Sequence, residues 1–129
     1  MASDTTAIGG QGDSGLVDWK YFLDVVGDDQ ELAASVVDAF LQEAPQQMAA
    51  IHRSLDSADA KTLCRSAHSL KGSLRYFGAR QAFDLALQLE LAGKNDQLAN
   101  LSSATRELDA LLARILVILT EYLQRGGSP

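Results

Sequence analysis

A histidine in the middle of a predicted helix is the residue of this chain best suited to chemistry. His68 is followed one turn later by Gly72, and Lys71 and Arg75 lie close to both in sequence. At 100° per residue, the apolar positions of this helix form one stripe, and these four residues project away from it as one outward patch. Imidazole near neutral pH is largely in its neutral form, which is nucleophilic. The patch therefore presents a nucleophile among cations.

The glycine in this patch needs an explanation of its own. In a helix interior, glycine is less favourable than alanine by about 1 kcal/mol, and Gly72 is not at a position where this helix ends. A histidine with a bare backbone one turn further on can be approached closely by another molecule. We therefore interpret Gly72 as an opening for a partner.

The basic charge of the chain is concentrated around the histidine. The chain has a formal net charge of −6, which argues against a general nucleic-acid binder. Within residues 61–80 there is no acid, and the basic residues are Lys61, Arg65, Lys71, Arg75 and Arg80. The positive charge of this segment favours an acidic partner and stabilises a phosphoryl group on the imidazole.

Composition predicts a single all-α domain in a reducing compartment. The chain has 129 residues, of which 39 are Ala or Leu and only 15 are Val, Ile or Thr, a balance that favours helices over strands. One cysteine, Cys64, allows no internal disulfide and fits a cytoplasmic protein. No apolar run is long enough for a membrane span, and the first fifteen residues do not resemble a signal peptide.

Glycines and capping residues divide the chain into helices. A short first helix is predicted to begin at Asp18 and to stop at Gly27, and a long second helix is capped by Asp28 or Asp29. Because Pro45 lies inside the second helix, we expect a kink or short break near residues 41–44. The third helix is predicted from about residue 59 to residue 78.

Two further helices complete the prediction. The fourth runs from about Ala79 to Ala92 and is closed by Gly93, and the fifth begins around residue 95 or 96 and reaches residue 122 or 123. Short connections favour antiparallel neighbours, so the expected fold is an antiparallel up-and-down four-helix bundle with a short additional N-terminal helix. The domain spans residues 16–124, with flexible tails at 1–15 and 125–129.

The segment from Leu111 to Leu119 is apolar on more than one face. Either the first helix covers the excess or the segment forms a dimer contact. We expect a monomer in which the first helix covers it.

Several short runs together resemble a known family. They are Ala67-His68-Ser69-Leu70-Lys71-Gly72-Ser73, then Phe77-Gly78-Ala79, and then Leu89-Glu90. The run around the histidine strongly resembles the signature of histidine-containing phosphotransfer (HPt) domains of bacterial multistep phosphorelays. The resemblance extends over about residues 16–123.

The resemblance implies a function and a set of site residues. His68 would accept a phosphoryl group on its outer ring nitrogen from a receiver-domain aspartate and pass it to another receiver. The receivers would belong to response regulators or hybrid sensor histidine kinases, and would supply both the aspartate and Mg²⁺, so this chain would need no cofactor and would be a carrier, not an enzyme. The implied supporting residues are Lys71 for the phosphoryl oxygens, Gly72 for receiver access, Glu90 for the inner ring nitrogen, and Lys94 as a second basic position.

Other interpretations stay open. A helical adaptor that binds receivers without phosphotransfer is the main alternative, and a hydrolase using His68 as general base ranks well below it because no partner nucleophile is evident. Arg65 and Arg75 are either binding residues or a solvated face. Cys64 is interpreted as a small semi-buried residue, and His52, which has no constellation around it, as structural.

Overall fold

The computed structural model describes residues 16–126, and this range is entirely helical between its turns. The all-α prediction is confirmed. No helix in this range is long and apolar enough to cross a membrane. The predicted tail at 1–15 and most of that at 125–129 lie outside the described residues. The helices are α1 Trp19–Val25, α2 Gln30–Asp56, α3 Ala60–Tyr76, α4 Arg80–Lys94 and α5 Ser102–Gln124.

Aspartates begin the first three helices. Asp18, Asp29 and Asp59 each take an N-cap position, and each carboxylate accepts the backbone N–H three residues on, at 3.0, 3.0 and 3.1 Å. An N-cap carboxylate satisfies one of the amides that a helix start leaves without a partner. These starts agree with the sequence predictions, with Asp29 instead of Asp28 capping α2.

Of the kink or short break predicted near Pro45, the break is wrong, because α2 continues without interruption to Asp56; the kink stays a prediction. Proline removes one backbone donor from the helix. Here Pro45 is exposed, whereas its neighbours Ala44 and Met48 are buried in the core. Packing on both sides of the proline therefore keeps the helix continuous.

The predicted stop at Gly93 is also wrong, because α4 continues to Lys94. The chain turns at Asp96, which adopts a positive φ of 52°. Gly93 instead lies in a close contact with α3: a Cβ at this position would be 2.6 Å from the backbone nitrogen of Cys64 and 2.7 Å from the carbonyl oxygen of Ala60. Its lack of a side chain serves packing.

Helix α5 begins at Ser102, several residues after the predicted start. Asp96 and Asn100 have φ values of 52° and 63°. A left-handed residue cannot continue a right-handed helix, and Asp and Asn tolerate this region better than most residues. Helix α5 can therefore begin only after Asn100, the second of these left-handed residues.

The core lies between the long helices and is closed at one end by aromatic rings. Helix α3 packs most extensively against α4 and then against α2, while α5 packs against α4 and α2. Phe77, just after α3, lies 4.8 Å from Phe22 and 5.0 Å from Phe40 between ring centroids. Phe77 thereby joins α1, α2 and the end of α3.

The N-terminal residues cover part of the apolar segment of α5. Trp19 stacks on Tyr122 with ring centroids 4.7 Å apart, and Leu16 is buried beside Val117 and Ile118. Val117 stays 57% exposed. The monomer stays a prediction, with a dimer contact at this surface as its alternative. The buried members of the segment are Leu111, Leu112, Ile115, Ile118 and Leu119.

One turn predicts a stabilising substitution. Ala58, exposed between α2 and α3, has a φ of 54°, a region that costs an L-residue roughly 1–2 kcal/mol. Glycine avoids this cost but loses more backbone entropy on folding. We therefore expect Ala58→Gly to raise the free energy of unfolding by only about 0.5–1 kcal/mol. Urea denaturation measures this, with Ala49→Gly on the exposed face of α2 as the destabilising control. An equal loss in the two variants would contradict it.

Candidate functional site

His68 stands on the outer wall of α3. Its side chain is 67% exposed, although the preceding residue, Ala67, is fully buried. The α3 core stripe is Leu63, Ala67, Leu70 and Leu74. Neighbouring positions on a helix point about 100° apart, so the stripe that docks α3 also turns the imidazole outward.

Glu90 of α4 holds the inner ring nitrogen of His68. The distance from His68 Nδ1 to Glu90 Oε2 is 2.8 Å. An ionised carboxylate only accepts hydrogen bonds, so Nδ1 is the donor and carries the proton. In a neutral imidazole the other nitrogen then has a free lone pair. The contact therefore leaves Nε2 as the unprotonated nitrogen on an exposed ring.

Lys71 binds the other oxygen of the same carboxylate. Its Nζ lies 2.7 Å from Glu90 Oε1 and 5.9 Å from the centre of the Phe83 ring, within the range of a cation–π contact. The lysine side chain is only 20% exposed. Lys71 thus lies against α4 and not in the outward patch that helical spacing predicted for it.

The carboxylate between these two groups is held in its ionised form. Burial acts to raise the pKa of Glu90, but the contacts with Lys71 and His68 outweigh it and lower the pKa below the ordinary range. A nearby cation and hydrogen bonds to the charged form favour ionisation. At neutral pH Glu90 is therefore a carboxylate that can accept from both neighbours.

Gly72 leaves open space one turn from the histidine. The residue is exposed, and a Cβ at this position would meet nothing within 4 Å. Packing within the described chain does not require a glycine here. A reason outside the chain, such as a partner that approaches the backbone, agrees with this openness.

The three remaining candidate residues make no hydrogen bond or ion pair with the histidine within residues 16–126. Arg65, Arg75 and Lys94 are exposed, and none of them makes an ion pair with a residue in the range 16–126. Arg75 borders a surface cavity of about 330 Å³ together with Arg80. The site brings together His68, Lys71 and Glu90 beside the open Gly72, with other cations around it.

Within residues 16–126, no group of three or more His, Cys, Asp and Glu side chains is arranged to hold a metal ion. The assignment of Mg²⁺ to a partner protein stays a prediction.

A model of the Hpt domain family matches residues 35–117, which contain every residue of this site. The chain belongs to the Hpt domain family. Hpt domains are phosphocarriers and not conventional enzymes, and they work with receiver domains and hybrid kinases in phosphorelays. The role of this chain is histidine phosphotransfer in two-component signalling.

Solved structures show the same fold at low sequence identity. Histidine-containing phosphotransfer protein B (HptB) from Pseudomonas aeruginosa PAO1 is 19% identical with a TM-score of 0.80, covering 87% of this chain and 97% of its own. The Hpt domain of a sensor hybrid histidine kinase from Shewanella is 21% identical with a TM-score of 0.77, covering 86% of this chain and 96% of its own. A comparison with curated proteins finds no matching relative.

Two polar contacts of this Hpt domain were not predicted. One is the Lys71–Glu90 ion pair, for which the only sequence signal is opposite charge on two helices. The other joins His52 of α2 to Asp109 of α5, with His52 Nε2 at 2.8 and 3.0 Å from the carboxylate oxygens. His52 therefore has a partner 57 residues away, a separation that helical spacing within α2 does not reveal.

The lowered pKa of Glu90 predicts a pH dependence of stability. A carboxyl whose folded pKa is depressed stabilises the fold above its unfolded pKa, and this contribution is lost as the pH falls through the folded value. We expect the free energy of unfolding of the wild type, relative to Glu90→Gln, to be constant near neutral pH and to decrease as the pH falls below about 5. Urea denaturation across this range measures it. Glu107→Gln, at an exposed position of α5, is the control, and its difference from the wild type in free energy of unfolding should not depend on pH. The prediction is contradicted if the difference between the wild type and Glu90→Gln is equally independent of pH.

Proposed function

We propose that His68 accepts a phosphoryl group on Nε2 from a receiver-domain aspartate and passes it to a second receiver. The carrying observation is the exposed imidazole whose Nδ1 is held by Glu90 at 2.8 Å. The Nε2 lone pair attacks phosphorus, the bond from phosphorus to the aspartate oxygen breaks, and its electrons stay on the receiver carboxylate. Nδ1 keeps its proton, and Glu90 offsets the positive charge that develops on the ring.

The cations are assigned two roles. Lys71, close to His68 on the same helix, holds the phosphoryl oxygens once they arrive, sharing its ammonium with Glu90. Arg65, Arg75 and Lys94 are exposed on the surrounding surface and attract an acidic receiver surface over a longer range. Gly72 leaves the space through which the receiver reaches the ring.

The reaction partner completes the chemistry in this proposal. In-line phosphoryl transfer usually requires a divalent cation to neutralise the oxygens. Both oxygens of Glu90, the carboxylate that touches His68, are engaged by His68 and Lys71. We therefore assign Mg²⁺ and the aspartate to the receivers of response regulators or hybrid sensor kinases. The working form is proposed to be a cytoplasmic monomer that binds neither nucleic acid nor membrane.

The supporting fold is proposed to be an up-and-down bundle of four long helices with α1 added at one end. Between α3 and α4, the later residues of one helix contact the earlier residues of the other: His68 meets Glu90, and Cys64 meets Gly93. Such pairing favours antiparallel neighbours. Short connections between the helices agree with it.

A labelling experiment tests the carrier function. The purified protein is mixed with a receiver domain carrying labelled phosphate on its aspartate. We expect acid-labile label on the wild type and none on His68→Gln, because amide nitrogen does not replace the imidazole lone pair. If both proteins bind the receiver equally and neither acquires label, the adaptor alternative is correct and the carrier proposal is wrong.

Gly72 predicts a selective effect on receiver transfer. Gly72→Gln should fold and slow transfer from a receiver at least about tenfold, since misplacement of about 1 Å at a reacting centre already costs roughly a hundredfold. Labelling by phosphoramidate, a donor small enough not to need docking, should stay unchanged. Gly72→Ala, which adds only a Cβ into open space, is the matched control. Wild-type receiver transfer by Gly72→Gln would remove the access argument.

A further inference from the structure

The backbones of α3 and α4 approach each other closely at Gly93. A Cβ there would lie 2.6 Å from the nitrogen and 3.0 Å from the Cα of Cys64, and 2.7 Å from the carbonyl oxygen of Ala60. These atoms belong to the backbone of α3, so a rotamer change cannot relieve the contact. Any side chain at this position must move one helix relative to the other.

This close contact is adjacent to the phosphotransfer site. Cys64 precedes His68 by four residues on α3, and Gly93 follows Glu90 by three residues on α4. At 1.5 Å per residue, the two contacts are separated by only about 4.5–6 Å along the helices. A displacement of the helices at Gly93 is therefore transmitted to the His68–Glu90 pair.

Glu90 has little freedom to compensate for such a displacement. One oxygen is 2.8 Å from His68 Nδ1 and the other is 2.7 Å from Lys71 Nζ. Both partners project from α3, and the Glu90 side chain is only 16% exposed. Hydrogen bonds weaken steeply beyond about 3.2 Å, and the attraction of an ion pair also falls with distance. A shift of several tenths of an ångström therefore affects both contacts together.

We propose that Gly93 is a positioning residue of the phosphotransfer site: its missing side chain sets the α3–α4 separation at which one carboxylate reaches both His68 and Lys71. The inference rests on the proposed function of His68 and Glu90. It assigns to Gly93 a purpose different from ending a helix. Intrinsic helix propensity favours alanine over glycine in a helix interior, so the close approach is what requires glycine here.

The substitution Gly93→Ala tests this inference through the state of the imidazole. When Glu90 is drawn away, His68 loses the acceptor that keeps the proton on Nδ1. We expect the population of the Nδ1–H tautomer, measured by ¹⁵N NMR of the neutral ring, to fall towards that of Glu90→Ala. Labelling of His68 by phosphoramidate should slow roughly ten- to a hundredfold, the range that small misplacements produce.

A matched control separates positioning from loss of stability. Ile115→Val removes a methyl group from a fully buried residue of α5, which does not belong to the α3–α4 contact. At a comparable fall in melting temperature, this variant should keep the wild-type tautomer and labelling rate. If Gly93→Ala folds and retains both wild-type properties, Gly93 serves packing alone and the inference is wrong.

A second variant tests the same premise if Gly93→Ala does not fold. Glu90→Asp shortens the side chain by one methylene and leaves the helix contact intact. If the α3–α4 separation lets the carboxylate only just reach both partners, Glu90→Asp should give the same tautomer population and labelling rate as Glu90→Ala. A wild-type tautomer in Glu90→Asp would overturn the inference. Glu90→Ala distinguishes the two proposals. If Glu90→Ala keeps the wild-type tautomer and labelling rate, the proposed role of Glu90 is wrong. If Glu90→Ala changes both properties while Gly93→Ala and Glu90→Asp keep them, only the role of Gly93 is wrong.

Discussion

The site depends on one carboxylate of α4 that is shared between two functional groups of α3. Glu90 accepts from His68 through one oxygen and pairs with Lys71 through the other, at 2.8 and 2.7 Å. Without the lysine, the imidazole would lie beside a bare negative charge, which disfavours an incoming phosphoryl group. With it, the carboxylate orients the ring while its charge is balanced locally. The extensive packing of α3 against α4 sets the distance across which this contact forms.

The sequence predicted well what depends on local spacing. The buried stripe of α3 follows from its apolar periodicity, and this stripe places His68 outward. The aspartate caps of α1, α2 and α3 follow from side chains that reach an amide three residues away. Both kinds of signal lie within a single helix, so they do not require knowledge of a neighbouring helix.

The errors occur where two parts of the chain meet. A glycine near a helix end usually marks where the helix stops. Gly93 instead lies in close contact with the backbone of Cys64 and Ala60, some thirty residues earlier, where a side chain would not fit. The position of Lys71 on α3 predicts an outward side chain, but the side chain lies against α4, where it contacts Glu90 and Phe83. The late start of α5 depends on left-handed turns at Asp96 and Asn100, which helix propensity alone does not specify.

A phosphoryl carrier has to combine exposure with order. The acceptor nitrogen must face solvent so that a receiver can reach it, and an exposed side chain is ordinarily free to rotate and to exchange its tautomer. In this Hpt domain the conflict is resolved by orienting only the inner edge of the ring: Nδ1 contacts a mostly buried carboxylate, while 67% of the histidine side chain stays accessible. In the proposed mechanism, the rigidity that transfer needs comes from the α3–α4 packing beneath the ring, and the outer surface stays open for partners.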